Sequence, residues 1–291
     1  MKKSKSELIF SIVNITLLLI FSLLIIFPLL HVLFASVSDP EWVRTFKGLI
    51  LYPRGFTLKG YSMVFANSGI FRSIFNSIYY MALGTAINML LTSLGAYVLS
   101  RKGVMLNKFF MIMITITMFF GGGVIPLYIL LNGLNLLDKV WAIVLPVAIS
   151  PWNMIILRTA FQGVPEEITE AARIDGAGEL RLMFQISMPL VKATLAIVML
   201  YYAVGHWNSW FSAMAFLRDR DMYPLQLLIR ELLVINDTSQ IVPGGMNNTE
   251  TLDYGTIVKY STAVISIIPM MILFPFVQKY FTQGVLVGSI K

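Results

Sequence analysis

Cysteine is absent from the 291 residues, which excludes disulfides, thiolate metal sites and cysteine nucleophiles. Histidine is nearly absent, with His31 and His206 alone. Charge is scarce: 13% of residues are charged against 57% hydrophobic, a balance that excludes a soluble domain. No carboxylate falls inside the long apolar runs. Proton- or sodium-driven carriers keep an ionisable residue at membrane depth, because something must bind the coupling ion. Intramembrane hydrolases need a base or a ligand cluster there. Two histidines on separate segments without a carboxylate supply neither, so no catalytic and no metal-ligating residue is assigned. No glycine is followed by lysine, so the phosphate-cradling G-x-x-x-x-G-K-[ST] loop is missing. If ATP drives this protein, another subunit binds it.

What the chain has in abundance is apolar length. Six segments are long enough to span a bilayer, over residues 8–36, 71–100, 109–131, 140–159, 191–216 and 260–281, within one membrane domain covering 1–291. The first run is nearly twice the ~7–15 apolar residues of a cleaved signal, so it reads as a retained helix. The net charge of +7 needs no nucleic acid. Lys2, Lys3, Lys5, Arg101, Lys102 and Lys108 sit where the excess of basic residues at cytoplasmic loops would put them, with both termini inside. The outer segments are 38–70, with Pro40, Pro53 and Gly55; the turn 132–139; and a polar loop, 218–259, carrying a Val242–Gly245 turn signal. In the third run Gly121, Gly122, Gly123 and Pro126 imply a weakened or broken helix, either a plain kink or a gate.

The longest polar interruption on the basic side is Val164–Pro189. Pro165 suits the first position of a helix, and Glu166 and Glu167 suit its positive end. Ile168, Ala171 and Ala172 then share a small apolar face rimmed by Glu170 and Arg173. Asp175-Gly176 breaks this helix, and Asp175 can cap a second one over about 177–185. An alanine-faced helix has little to bury by itself and suits another protein's groove. A helix lying on lipid would want Lys, Arg and bulky apolar residues instead.

Glu170-Ala171-Ala172, Asp175-Gly176-Ala177, Phe184, Ile186 and Pro189 resemble the EAA motif of ABC importer membrane subunits. The family's frequent second proline is replaced by Ala193. The stretch Ala96–Lys102 is also similar to the importer family, and the Trp207-Asn208 pair and the close Gly284–Lys291 are similar to its carbohydrate branch, the chain resembling the smaller membrane subunit of the maltose importer. The resemblance implies an all-α type I permease with six transmembrane helices and a cytoplasmic coupling helix. Glu167, Glu170, Ala171, Ala172, Asp175, Gly176 and Ala177 would face the ATPase. It implies a second homologous permease, two ATPase subunits carrying ATP and magnesium, and an external sugar-binding protein, with no cofactor in this chain. An importer of the same architecture for peptides or amino acids, or an ion-coupled carrier, is the alternative.

The fifth run carries Tyr201, Tyr202, His206, Trp207, Asn208 and Trp210. Read as one helix, it puts Tyr202, His206 and Trp210 on one face, and Tyr201, Gly205 and Asn208 on the next. Aromatic faces beside hydrogen-bonding groups suit sugars, whereas an interfacial belt would collect tryptophan and tyrosine anyway.

Overall fold

The structure is a computed structural model that describes residues 5–232 and 248–288. Lys2, Lys3, the Val242–Gly245 turn signal and Ser289–Lys291 lie outside the described residues. Among the described residues every regular element is helical. The principal helices are α1 (Lys5–Ser36), α2 (Ser68–Ser100), α3 (Asn107–Phe119), α4 (Val124–Gly133), α5 (Val140–Val144), α6 (Pro151–Gln162), α7 (Glu166–Ile174), α8 (Lys192–Trp207), α9 (Trp210–Phe216) and α10 (Asn248–Gly288). Among the described residues three helices are long and apolar enough to cross a membrane, or up to six spans if each bent pair is one crossing.

The chain forms two compact units, residues 1–68 with 231–268, and residues 69–230 with 269–291. In the first, α1 exposes Leu, Ile and Phe all round over most of its length, as a helix in lipid must. Only its last turns pack, with Ala35, Val43, Ile50 and Ile257 forming a small core. His31 belongs to that core: its Nδ1 accepts the Ile50 amide at 2.9 Å, edge-on to Tyr260. The 38–70 segment folds into helices Pro40–Thr45 and Lys59–Ala66, and an Arg44–Asp253 ion pair ties it to α10. Because α10 begins at Asn248, the polar loop is shorter than 218–259, and it also holds a helix over Leu225–Arg230.

The second unit is built on α2. Its buried residues Ser73, Ser77, Tyr80, Gly84, Asn88, Thr92 and Ala96 recur every three or four positions, so one small, polar stripe faces the unit's interior. Small residues let helices approach closely in lipid, and polar ones bond across the contact. Ser77 Oγ accepts the Leu225 amide at 2.8 Å, and Tyr80 donates to the Met222 carbonyl at 2.8 Å. Toward the other end, Tyr97, Leu157, Phe161, Leu182 and Met183 make the main apolar core.

The runs 109–131, 140–159 and 191–216 are not single rods. α3 and α4 meet at 115°, and the 140–147 helix bends by 49° into α6 where Pro151 sits at the first position. α8 turns 89° away from the 179–190 helix before it, and ends at Trp207.

Candidate functional site

The 164–189 segment opens with Pro165 as the residue before α7 rather than its first residue, equally free of cost because neither position needs an amide hydrogen in the ladder. Asp175 closes α7 rather than capping the next helix. Gly176 takes φ +81°, and the amides of Gly176 and Ala177 donate to the carbonyls of Arg173 at 3.0 Å and Ala172 at 2.9 Å. These are the two bonds of a Schellman end, which needs a left-handed residue at Gly176. The second helix therefore starts at Glu179, not at 177, and widens into a π-helix over Leu182–Ser187.

The face expected of α7 splits. Ala172 and Ala177 turn toward the apolar core of their own unit, as does Thr169, 2% exposed. Ile168 and Ala171 point away, and Ile174 is 86% exposed. Sequence reasoning missed Thr169 as the anchor and Ile174 as the outward apolar residue. Glu166 accepts Lys102 Nζ at 2.5 Å, and Glu179 Oε1 accepts Arg173 Nη2 at 2.7 Å. The Lys102 hydrogen bond holds the Glu166 carboxyl below the usual carboxylate range. Glu179 is likewise lowered, first by Arg173, against a burial that opposes it.

A cavity of about 540 Å³ lies between the 146–153 bend and the end of α8. Where the helix ends, its last carbonyls accept both amides and side chains: Val204 O takes the Asn208 amide at 3.1 Å and Nδ2 at 3.0 Å, and His206 O takes the Ser209 amide at 3.2 Å and Oγ at 2.7 Å. Tyr202 and His206 form the inner wall and are already bonded. Tyr202 Oη accepts the Ser150 amide at 2.9 Å and meets Thr92 Oγ1 at 2.6 Å. Asn88 donates to the Val147 carbonyl, which leaves its Oδ1 facing His206 Nε2 at 2.6 Å, so that nitrogen carries the hydrogen. Gly84 makes this possible, since a Cβ there would collide with the imidazole. Trp207 is 1% exposed and serves as core.

Tyr201 and Asn208 are the exposed members, joined on the cavity wall by Ser209 and Phe211, which the sequence did not single out. Trp210 does not continue the Tyr202–His206 face: it starts a new helix, with the Arg230 guanidinium 4.8 Å over its ring. Among the described residues no charged side chain lines the cavity. Among the described residues no group of three acidic or histidine side chains could hold a metal.

Between α3 and α4, Phe120 to Gly123 is extended or left-handed backbone. Among the described residues nothing comes within 4 Å of a Cβ placed at Gly121, Gly122 or Gly123, and their amides make no hydrogen bond. Pro126, in the first turn of α4, removes one more amide from those left unpaired. At 13 residues, α3 rises about 20 Å, so the break lies inside a bilayer core of about 30 Å if α3 runs near the normal.

The pattern of the family described as binding-protein-dependent transport system inner membrane components matches residues 92–287. The polygalacturonan/rhamnogalacturonan transport system permease protein YtcP of Bacillus subtilis is 36% identical over 94% of this chain and 95% of its own. An arabinooligosaccharides transport system permease protein of Halalkalibacterium halodurans is 31% identical over 91% of each. A chain in the crystal structure of a bacterial ABC transporter involved in the import of the acidic polysaccharide alginate superposes with a TM-score of 0.85 at 30% identity, covering 97% of this chain and 99% of that one. Membership implies an ATPase and a substrate-binding protein as partners. With this likeness over its length, the chain belongs to the binding-protein-dependent transport system inner membrane component family, as a permease subunit of an ABC importer.

Proposed function

We propose that this subunit forms half of the membrane path of an importer of oligosaccharides or related complex carbohydrates. A second homologous permease supplies the other half, two ATPase subunits sit inside, and the sugar arrives on an external binding protein. The chain crosses the membrane six times with both termini in the cytoplasm. Closure of the ATPase pair pushes on α7 through Ile168, Ala171 and Ile174, rimmed by Glu167 and Glu170, while Asp175, Gly176 and Ala177 set the turn behind it. That push alternates access to the path by rigid-body movement.

The observation that carries the reading is the uncharged wall of aromatic and hydrogen-bonding groups, Tyr201, Asn208, Ser209 and Phe211, on one cavity. Sugars present C–H patches and hydroxyls, and such a wall meets both. The bare backbone of Gly121–Gly123 supports it, because unpaired amides at membrane depth are tolerated only against protein or a water-filled passage. Tyr202, His206 and Trp207 frame the wall rather than touch the sugar. The names of the relatives point to carbohydrate rather than to peptides or amino acids. The test is uptake by the reconstituted complex against a panel of oligosaccharides, peptides and amino acids. Uptake of an oligosaccharide and no other class is the expected result, and uptake of a peptide instead would overturn it.

A further inference from the structure

The cytoplasmic end of α2 holds the 164–189 segment at three points. Lys102 meets Glu166, both well exposed, a pairing that solvent and salt weaken. Arg101 donates Nη2 to Ser187 Oγ at 2.9 Å while its guanidinium lies 4.2 Å over the Tyr97 ring. The third point is different in kind. Tyr97, 4% exposed and edge-on to Phe161, donates its hydroxyl to Glu179 Oε2 at 3.0 Å. The other oxygen of the same carboxylate takes Arg173 Nη2 at 2.7 Å. One carboxylate thus joins the last turn of α7, the first turn of the returning helix and a transmembrane helix, across the left-handed turn at Gly176.

The returning helix does not depend on this junction for its place. Leu182 and Met183, 0% and 1% exposed, already anchor it in the core with Leu157 and Phe161. The Tyr97 hydroxyl therefore adds little to packing, yet it ties α7 to the buried part of α2, whereas the Lys102–Glu166 pair reaches only the exposed residues just beyond that helix. From Tyr97, α2 continues unbroken to Thr92 and Asn88, and those two bond Tyr202 and His206 on the cavity wall. Both ends of the route are side-chain hydrogen bonds, and the middle is one helix.

We propose that Tyr97 and Glu179 are positioning residues that clasp α7 to α2 and transmit its displacement to the cavity wall. The proposal rests on the reading of α7 as the ATPase-facing helix. A pathway of this kind is established by coupling energies, not by adjacency. The experiment uses the whole complex in proteoliposomes with its loaded binding protein, and reads ATPase retained, ATP hydrolysed and sugar transported per ATP. Tyr97→Phe removes only the hydroxyl, and Glu179→Gln keeps the shape without the charge. Each is expected to retain the ATPase and to lower sugar per ATP by about tenfold, the loss of one charge-assisted hydrogen bond. The double variant is expected to be no worse than either single, since both break one clasp. Wild-type sugar per ATP in Tyr97→Phe overturns the proposal, whether or not less complex assembles. So does a double variant whose losses multiply. Ile174→Asp run in parallel separates the two failures: it releases the ATPase if α7 docks there, and if the ATPase stays bound the reading of α7 falls with the clasp.

Discussion

Replacing Ile174 by alanine removes three carbons from a side chain that is 86% exposed in this subunit. Nothing in the subunit loses a contact, so its own stability should move by less than about 0.5 kcal/mol, as for other surface changes. If the ATPase covers the side chain, each carbon contributes about 0.8 kcal/mol on burial, or about 2.4 kcal/mol for the three. That converts to an affinity loss of about fiftyfold. Equilibrium binding of the purified ATPase to the permease in nanodiscs measures it, with thermal unfolding of the permease alone as the control. Affinity within about twofold of the native chain would refute the assignment of this face. The neighbouring Ala172 is a poorer probe, because it packs against the apolar core of its own unit, to which Tyr97, Phe161 and Leu182 belong. Ala172→Trp should overpack that core by about 1–3 kcal/mol and lose uptake through misfolding rather than through docking.

The absence of cysteine makes topology simple to check: a cysteine at Ser6 should resist an impermeant thiol reagent outside intact cells, one at Lys139 should react, and labelling at position 6 would reverse the orientation. Gly84→Val should destabilise the subunit by about 1–3 kcal/mol, because the new side chain meets the His206 ring; an unchanged melting temperature in detergent would contradict the packing of α2 on α8. Glu166 and Glu179 are both held below their ordinary range by basic partners. A depressed carboxyl stabilises above its unfolded pKa and loses that stability as pH falls through the folded one. Hydrogen exchange over 165–181 should therefore be flat between about pH 6 and 9 after correction for intrinsic rates, and loosen only below about pH 4.

Apolar run length marks where membrane segments can lie, because a bilayer demands it of any sequence; among the described residues three helices reach that length singly, and up to six spans if each bent pair is one crossing. Length does not say where a run breaks. Tyr202, His206 and Trp210 have helical spacing, but Asn208 and Ser209 bind the last carbonyls of α8, and Trp210 begins elsewhere. That Asn-Ser pair was the available signal, since both residues compete with the backbone ladder. Similarly, the spacing of Ile168, Ala171 and Ala172 marks a face without stating what covers each part of it. Thr169 and Ala172 turned inward because the core of Phe161, Leu182 and Met183 lies on that side, which only the fold reveals. The pairing of Asn88 with His206 spans 118 positions and leaves no local trace.

The bare backbone between α3 and α4 has a consequence for biogenesis. At 13 and 10 residues, each helix falls short of the ~20 needed to cross alone, so neither half is a self-sufficient insertion signal. A permease that has not met its partner would carry the unpaired amides of Gly121, Gly122 and Gly123 against acyl chains, at several kcal/mol for each unsatisfied group. On the proposed assembly, joining the second subunit moves them out of lipid. On that assembly the three glycines would also mark an orphan subunit as unfinished, and leave it to the membrane's proteases.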